Sequence, residues 1–256
     1  MTPVGEKKML NVEKRSVLLT MLLGDGCLYR SSPSQRNKTG YITVKHGWKQ
    51  KDYLQWKAQL VSEAIERPVN IRSTSSYVKA YDKRYEQWCF LCSLVRMRAW
   101  RRLLYPNNKK SIQRILHFIK DIKLAACIWL CDDGTVQTAP IDRKHRQNGK
   151  VGSGMILYMG NQTQSDADAA QLWFQTHFNV WPRIKWQKYK YKGEIKEYVQ
   201  LNFTVQDALV IWANIRRHLI PIESMWNKFI CLEERFNRAD LLQPQMRDVG
   251  THLVKI

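Results

Sequence analysis

The chain has 256 residues, enough for one large domain or two small ones, and either can bury a core. Hydrophobic residues make up 44% of it and ten are tryptophan, which excludes a disordered chain. The formal charge of +20 points to a polyanion as partner, nucleic acid before an anionic membrane, and no segment approaches the roughly 18–20 apolar residues of a membrane span.

At the N-terminus, KKMLNVEKR followed by VLLTMLL mimics the basic and apolar regions of a signal peptide. The apolar run is short, Glu6 and Glu13 precede it, and it ends in Gly-Asp-Gly rather than a cleavage site, so an intracellular protein is expected. A mitochondrion, a plastid and a bacterial cytoplasm fit equally well. The six cysteines agree. Cys127 and Cys131 lie one helical turn apart in an apolar run, where thiols serve as small core residues. Cys89 and Cys92 form one C-x-x-C without the second pair that a zinc site needs.

The first predicted element is a helix over about 12–24, followed by a strand CLYR, a polar loop and a strand YITVKH. KDYLQWKAQLVSEAIE follows, with Tyr53, Leu54, Ala58, Leu60, Val61, Ala64 and Ile65 at helical spacing, and Pro68 ends it. VNIRS, SYVKAY and YEQWCFLC read as strands, and LVRMRAWRRLLY as a basic helix stopped before Pro106. The second half repeats this order. A helix over about 120–132 leads to a strand TVQTA, a basic loop and a strand SGMILYM. DADAAQLWFQTHF is the next helix, with Ser165 or Asp166 as N-cap. PRIKWQKYK and EIKEYVQLNF form a hairpin around Gly193, with Ile195, Val199, Leu201 and Phe203 on one parity. Two helices, QDALVIWANIRRHL and ESMWNKFICLEERF, close the half.

The expected fold is therefore α+β, with two pseudo-symmetric αββαββα-type repeats. Their expected bounds are 10–105 and 119–238, joined by a linker at 106–118 and followed by a polar tail at 239–256.

Each half contains an apolar run that ends in an acid and a glycine: VLLTMLLGDG at 17–26 and ACIWLCDDG at 126–134. Neither run leaves a polar face, so each helix is buried on most sides. Small residues, Thr20 and Gly24 in one and Ala125, Ala126 and Cys127 in the other, let the two helices approach closely. Their ends then bring Asp25 and Asp133 together, with Gly26 and Gly134 reversing the chain. Like charges at a helix C-terminus raise each other's pKa and call for a cation. Hard oxygen ligands suit Mg²⁺, with Mn²⁺ or Ca²⁺ as alternative occupants, and such ions activate water on phosphodiesters. Asp132 is ambiguous: it neighbours the paired acid, and its side chain fits an outward polar group.

The two runs resemble the nine-letter motif of the LAGLIDADG homing endonucleases, in LLTMLLGDG (18–26) and ACIWLCDDG (126–134) with the acid eighth. The Cys-Asp-Asp-Gly ending resembles the second motif of the single-chain, intron-encoded branch, and the likeness extends over about 12–238. It implies a saddle, with the paired motif helices at the interface and the sheets in the DNA major groove. It implies cleavage of both strands of a long asymmetric site, one acid to each strand. It places Lys110, in NNKKS, and Lys228, in LIPIESMWNK, beside the acids, with Gln162 near the second. It also makes the carbonyls of Gly24 and Asp132 metal ligands.

Candidate DNA-binding residues are Arg30, Arg36, Lys38, Lys45, Arg72, Lys79 and Arg84 in the first half. In the second they are Arg143, Lys144, Arg146, Arg183, Lys185, Lys188, Lys190 and Lys192. Strand alternation puts only some of these on one face. Double-stranded DNA is the expected partner, with a monomer needing no protein partner and no membrane. The rival functions are an intron maturase that binds RNA and a nucleic-acid binder without chemistry.

Overall fold

The computed structural model describes residues 11–30, 40–78, 82–94, 97–137, 154–191, 193–219 and 222–242. The first half runs α1 (Val12–Thr20), β1 (Cys27–Arg30), β2 (Gly40–Gly47), α2 (Lys51–Ile65), β3 (Ile71–Val78), β4 (Lys83–Leu94) and α3 (Met97–Leu104). A short helix, α4 (Ile112–Leu116), leads to the second half. That half runs α5 (Ile122–Asp133), β5 (Gly134–Val136), β6 (Met155–Gly160), α6 (Gln164–Phe178), β7 (Arg183–Tyr191), β8 (Glu194–Phe203), α7 (Val205–Leu219) and α8 (Glu223–Leu242).

The duplication is explicit in the sheets. Both are four-stranded and antiparallel, with orders β1-β2-β4-β3 and β5-β6-β8-β7. One continuous core joins the halves, from Leu18 and Leu22 through Ile128 and Trp129 to Phe174 and Leu201. α1 and α5 run side by side in the same direction. At their starts, the buried Ser16 hydroxyl accepts from the amides of Lys120 at 2.7 Å and Asp121 at 3.3 Å. At their ends, the Asp25 amide donates to Asp132 Oδ2 at 3.0 Å.

Several local expectations are corrected. The first motif helix ends at Thr20 rather than near 24. Its last residues tighten into turns, with the Leu22 and Leu23 amides donating three residues back to Leu19 and Thr20. VNIRS and SYVKAY are not two strands, since Ile71–Val78 pairs with β4 without interruption. The N-cap of α6 is Thr163, not Ser165 or Asp166. Asp166 instead completes a capping box from the third helical position.

The stretch at 106–118 is folded. Ile112 and Ile115 are buried, and Asp166 accepts from the Ser111 hydroxyl at 3.0 Å and the Gln113 amide at 2.9 Å. Tyr105 beside it accepts at its hydroxyl from the Leu28 amide at 3.1 Å. α8 carries the chain through Leu242, and the rest of the polar tail lies outside the described residues.

Candidate active site and nucleic-acid face

The acids stand where the two motif helices stop. Asp133 is the last residue of α5, and Asp25 closes the turns that follow α1. Gly24 lets the two motifs meet closely, because a β-carbon there would lie 2.2 Å from Asp132 Oδ2. Gly26 and Gly134 lead the chain into the following strands, as the sequence implies, but without left-handed backbone, since neither has positive φ. They are glycines because a β-carbon would lie 2.0 Å and 2.4 Å from the carbonyl oxygens of Met21 and Leu130.

Asp132 is the main departure. Its side chain is not outward but 0% exposed, held by Lys57, itself 0% exposed. The Lys57 ammonium lies 2.6 Å from Asp132 Oδ1 and 2.7 Å from Oδ2. The Tyr53 hydroxyl donates to Oδ1 at 2.8 Å, and the Asp25 amide to Oδ2 at 3.0 Å. Lys57 Nζ also lies 3.1 Å from His46 Nε2. An ammonium has no acceptor, so Nε2 accepts and the hydrogen sits on Nδ1, which faces Asp25 Oδ2 at 3.4 Å.

The electrostatics follow from this packing. Burial is the largest influence and would raise the Asp132 carboxyl, but the neighbouring charges, Lys57 first, and the hydrogen bonds from Lys57 and the Asp25 amide together hold the group below its ordinary value. Burial and the Lys57 charge push His46 down to about 3, so its ring is neutral. Asp25 is raised by burial and then by the charge of Asp132. Asp133 is raised to about 7, by burial first and by Asp132 and Asp25 next.

Two lysines lie at the helix ends. Lys110 donates to the Gly24 carbonyl at 2.7 Å, and Lys228 to the Cys131 carbonyl at 2.6 Å. Burial lowers the pKa of Lys228. With its amide nitrogen turned to donate, Gln162 reaches the Lys110 carbonyl at 2.8 Å and Asp166 Oδ2 at 3.2 Å. A cavity of about 260 Å³ opens between Gly24, Lys110, Asp133, Met159 and Gln162. The structure thus brings Asp25, Asp133, Lys110, Lys228, Gln162, Gly24 and Asp132 to one locality.

Ligand atoms of Asp25, His46 and Asp132 lie within 4.8 Å of one another. That cluster already has its cation, because Lys57 engages both oxygens of Asp132. The remaining hard donors are the carboxylates of Asp25 and Asp133. Both are raised by burial first and by neighbouring carboxylates next, more than the nearby lysines offset, and this is the environment that a divalent ion relieves.

The sheets carry the basic residues in a sorted way. In the first, Lys45 and Arg72 both pair with Cys89, so they share a row on the face opposite Val44 and Phe90. Arg84 has the parity of Trp88 and Phe90, and so lies off that face. In the second, Arg183, Lys185, Gln187 and Tyr189 oppose Asn202, Gln200, Tyr198 and Lys196, away from the core residues Val199 and Leu201. Lys188 and Lys190 have the other parity, and Lys188 pairs with Glu197 at 2.9 Å. Arg30 pairs in register with Gly40. Arg36, Lys38, Lys79, Arg143, Lys144, Arg146 and Lys192 lie outside the described residues.

A family model, the LAGLIDADG DNA endonuclease family, matches residues 15–200, which include both acids and both sheets as far as β8. The chain belongs to the LAGLIDADG DNA endonuclease family. The solved structure of the homing endonuclease I-WcaI bound to its DNA recognition sequence is similar in fold, with a TM-score of 0.60. Identity is 16%, covering 89% of this chain and 94% of that one. Protein RecA of Mycolicibacterium chitae is 30% identical over 154 residues, and Protein RecA of Mycobacterium shimoidei 28% over 153, each over 59% of this chain. The chain spans about a third of the length of these curated relatives, at 32% of each.

Within this LAGLIDADG chain, sequence reasoning missed Lys57, His46 and Tyr53. The signal was present. Lys57 falls on the apolar stripe of α2, between Leu54 and Val61, and His46 has the parity of Ile42 and Val44 in β2. A charged residue at a buried position of an amphipathic pattern marks a partner elsewhere in the chain.

Proposed function

We propose that the chain is a divalent-metal-dependent endonuclease that cuts both strands of a long, asymmetric double-stranded DNA site. One observation carries this: two acids with raised pKa stand together at the ends of paired helices, each leading into a sheet that presents basic and amide side chains. Asp25 and Asp133 would hold Mg²⁺, with Mn²⁺ or Ca²⁺ able to substitute. Such an ion, when bound, stabilises charge on the leaving oxygen and lowers the pKa of a water.

The protein's own groups do the rest. Asp133 holds a proton up to about pH 7 and must lose it to act as a ligand. Lys110 and Lys228 hold the carbonyls of Gly24 and Cys131 near the ends of the two motifs and put positive charge beside the scissile phosphates. Lys45 and Arg72 on one sheet, and Arg183, Lys185 and Gln187 on the other, face the groove. Arginine and glutamine suit base edges, and lysine suits phosphates. Two unlike halves in one chain read an asymmetric site without a second copy.

The test is a cleavage selection on a randomised duplex library with Mg²⁺ or EDTA, alongside the double variant Asp25→Asn, Asp133→Asn. A single long site, cut only with metal and never by the variant, is expected. Binding without cutting in any divalent metal would contradict the proposal.

A further inference from the structure

The two acids sit in unlike surroundings, and the difference lies in three matched positions. Lys57 is the seventh residue of α2, and the seventh of α6 is Ala170, fully buried. Asp132, before the second acid, corresponds to Gly24, before the first. Thr43 faces Cys27 and Ile156 faces Thr135, so counting three residues on matches His46 to Met159, a buried residue at the irregularity between Tyr158 and Gly160. Cation, carboxylate and imidazole therefore all fall on the Asp25 side. Where Lys57 and Asp132 fill space there, the Asp133 side has the cavity of about 260 Å³ bordered by Gly24 and Met159.

We propose that Lys57, acting through Asp132 and His46, is a positioning residue for Asp25 alone, so that the two strands are cut by sites of different construction. The role rests on the endonuclease function proposed above. Two arms reach Asp25 from one ammonium. Through Asp132, whose oxygens Lys57 holds at 2.6 and 2.7 Å, it fixes the acceptor of the Asp25 amide. Through His46 it sets the tautomer whose Nδ1 hydrogen faces the Asp25 carboxylate.

Asp25 needs such support. It is 44% exposed and follows turns, whereas Asp133 is the final residue of a regular helix. A buried pair with all its hydrogen bonds made specifies geometry more than it adds stability, and here the geometry is that of one acid. Misplacing a reacting group by about 1 Å costs about 100-fold in rate.

The test uses the full chain with Lys57→Met and Asp132→Ala together, which removes both buried charges at once. Amide exchange of the free protein should speed at 22–27 and stay unchanged at 155–160. On a labelled duplex carrying the selected site, the strand served by Asp25, defined as the one that Asp25→Asn leaves intact, should be cut about 10–100-fold more slowly. The other strand, read at pH 8, above the pKa of about 7 that Asp132 helps to set for Asp133, should be slowed far less. His46→Gln severs one arm only and should slow the same strand less, which keeps the test valid if the double variant misfolds. Equal slowing of both strands with unchanged exchange would overturn the positioning role. If the wild-type chain cuts no duplex, the endonuclease proposal falls, and exchange at 22–27 alone decides whether the pair holds the Asp25 turn.

Discussion

Asp132 and Asp133 are adjacent acids with opposite fates, and position decides between them. Asp132 points into a pocket with a lysine, a tyrosine and a histidine, and stays ionised. Asp133 is half-buried, makes no ion pair among the described residues, and holds its proton to about pH 7. A folded-state pKa above the unfolded value means that stability is greatest below about pH 4 and is lost as pH rises through 7. Asp133→Asn should therefore raise the melting temperature at pH 8 and leave it unchanged at pH 4. Each kcal/mol recovered corresponds to about 2–4 °C, and a calorimetric scan at the two pH values checks this. Cleavage by the wild type should rise with pH, with a midpoint at or below about 7, because a metal competes with the proton. A pH–rate profile falling between pH 6 and 8 would contradict the assignment. Lys57→Met alone should cost about 3–5 kcal/mol in denaturant unfolding, because it leaves Asp132 charged and unpaired in the interior.

The helices and strands were largely legible in the sequence, because periodicity survives wherever one face of an element is buried. The run 194–203 shows this over its second half, with Val199, Leu201 and Phe203 inward as their spacing implies, whereas Ile195, of the same parity but near the exposed hairpin turn, is 72% exposed. What was illegible depended on partners distant in the chain. The Asp25 amide meets a carboxylate 107 positions away, and Lys57 meets it from 75. No local pattern identifies such a partner, although the charge on the apolar stripe of α2 signals that one exists. The end of α1 failed for a related reason, because Gly24 is dictated by Asp132 and not by helix propensity. Strand parity also sorts the basic hairpin. Lys185→Ala should weaken DNA binding, while Lys190→Ala, on the opposite parity, should change it little; equal losses in a titration would contradict the assigned face.

At the scale of the whole molecule, one buried core joins two sheets of matching strand order, and the acids lie where the halves meet. A charge of +20 on such a frame makes affinity a matter of counterion release. Contact with roughly 6–10 phosphates predicts a loss of about 10³–10⁵ in affinity between 50 and 200 mM salt, and a flat titration would count against the saddle. Asp25→Asn and Asp133→Asn, each as a single variant on a duplex labelled on both strands, test the central claim most directly. With Mg²⁺ present, each variant should leave one strand whole and cut the other, and the spared strands should be opposite. Loss of the same strand in both variants, or cutting of both strands by either, would contradict the assignment of one acid to each strand.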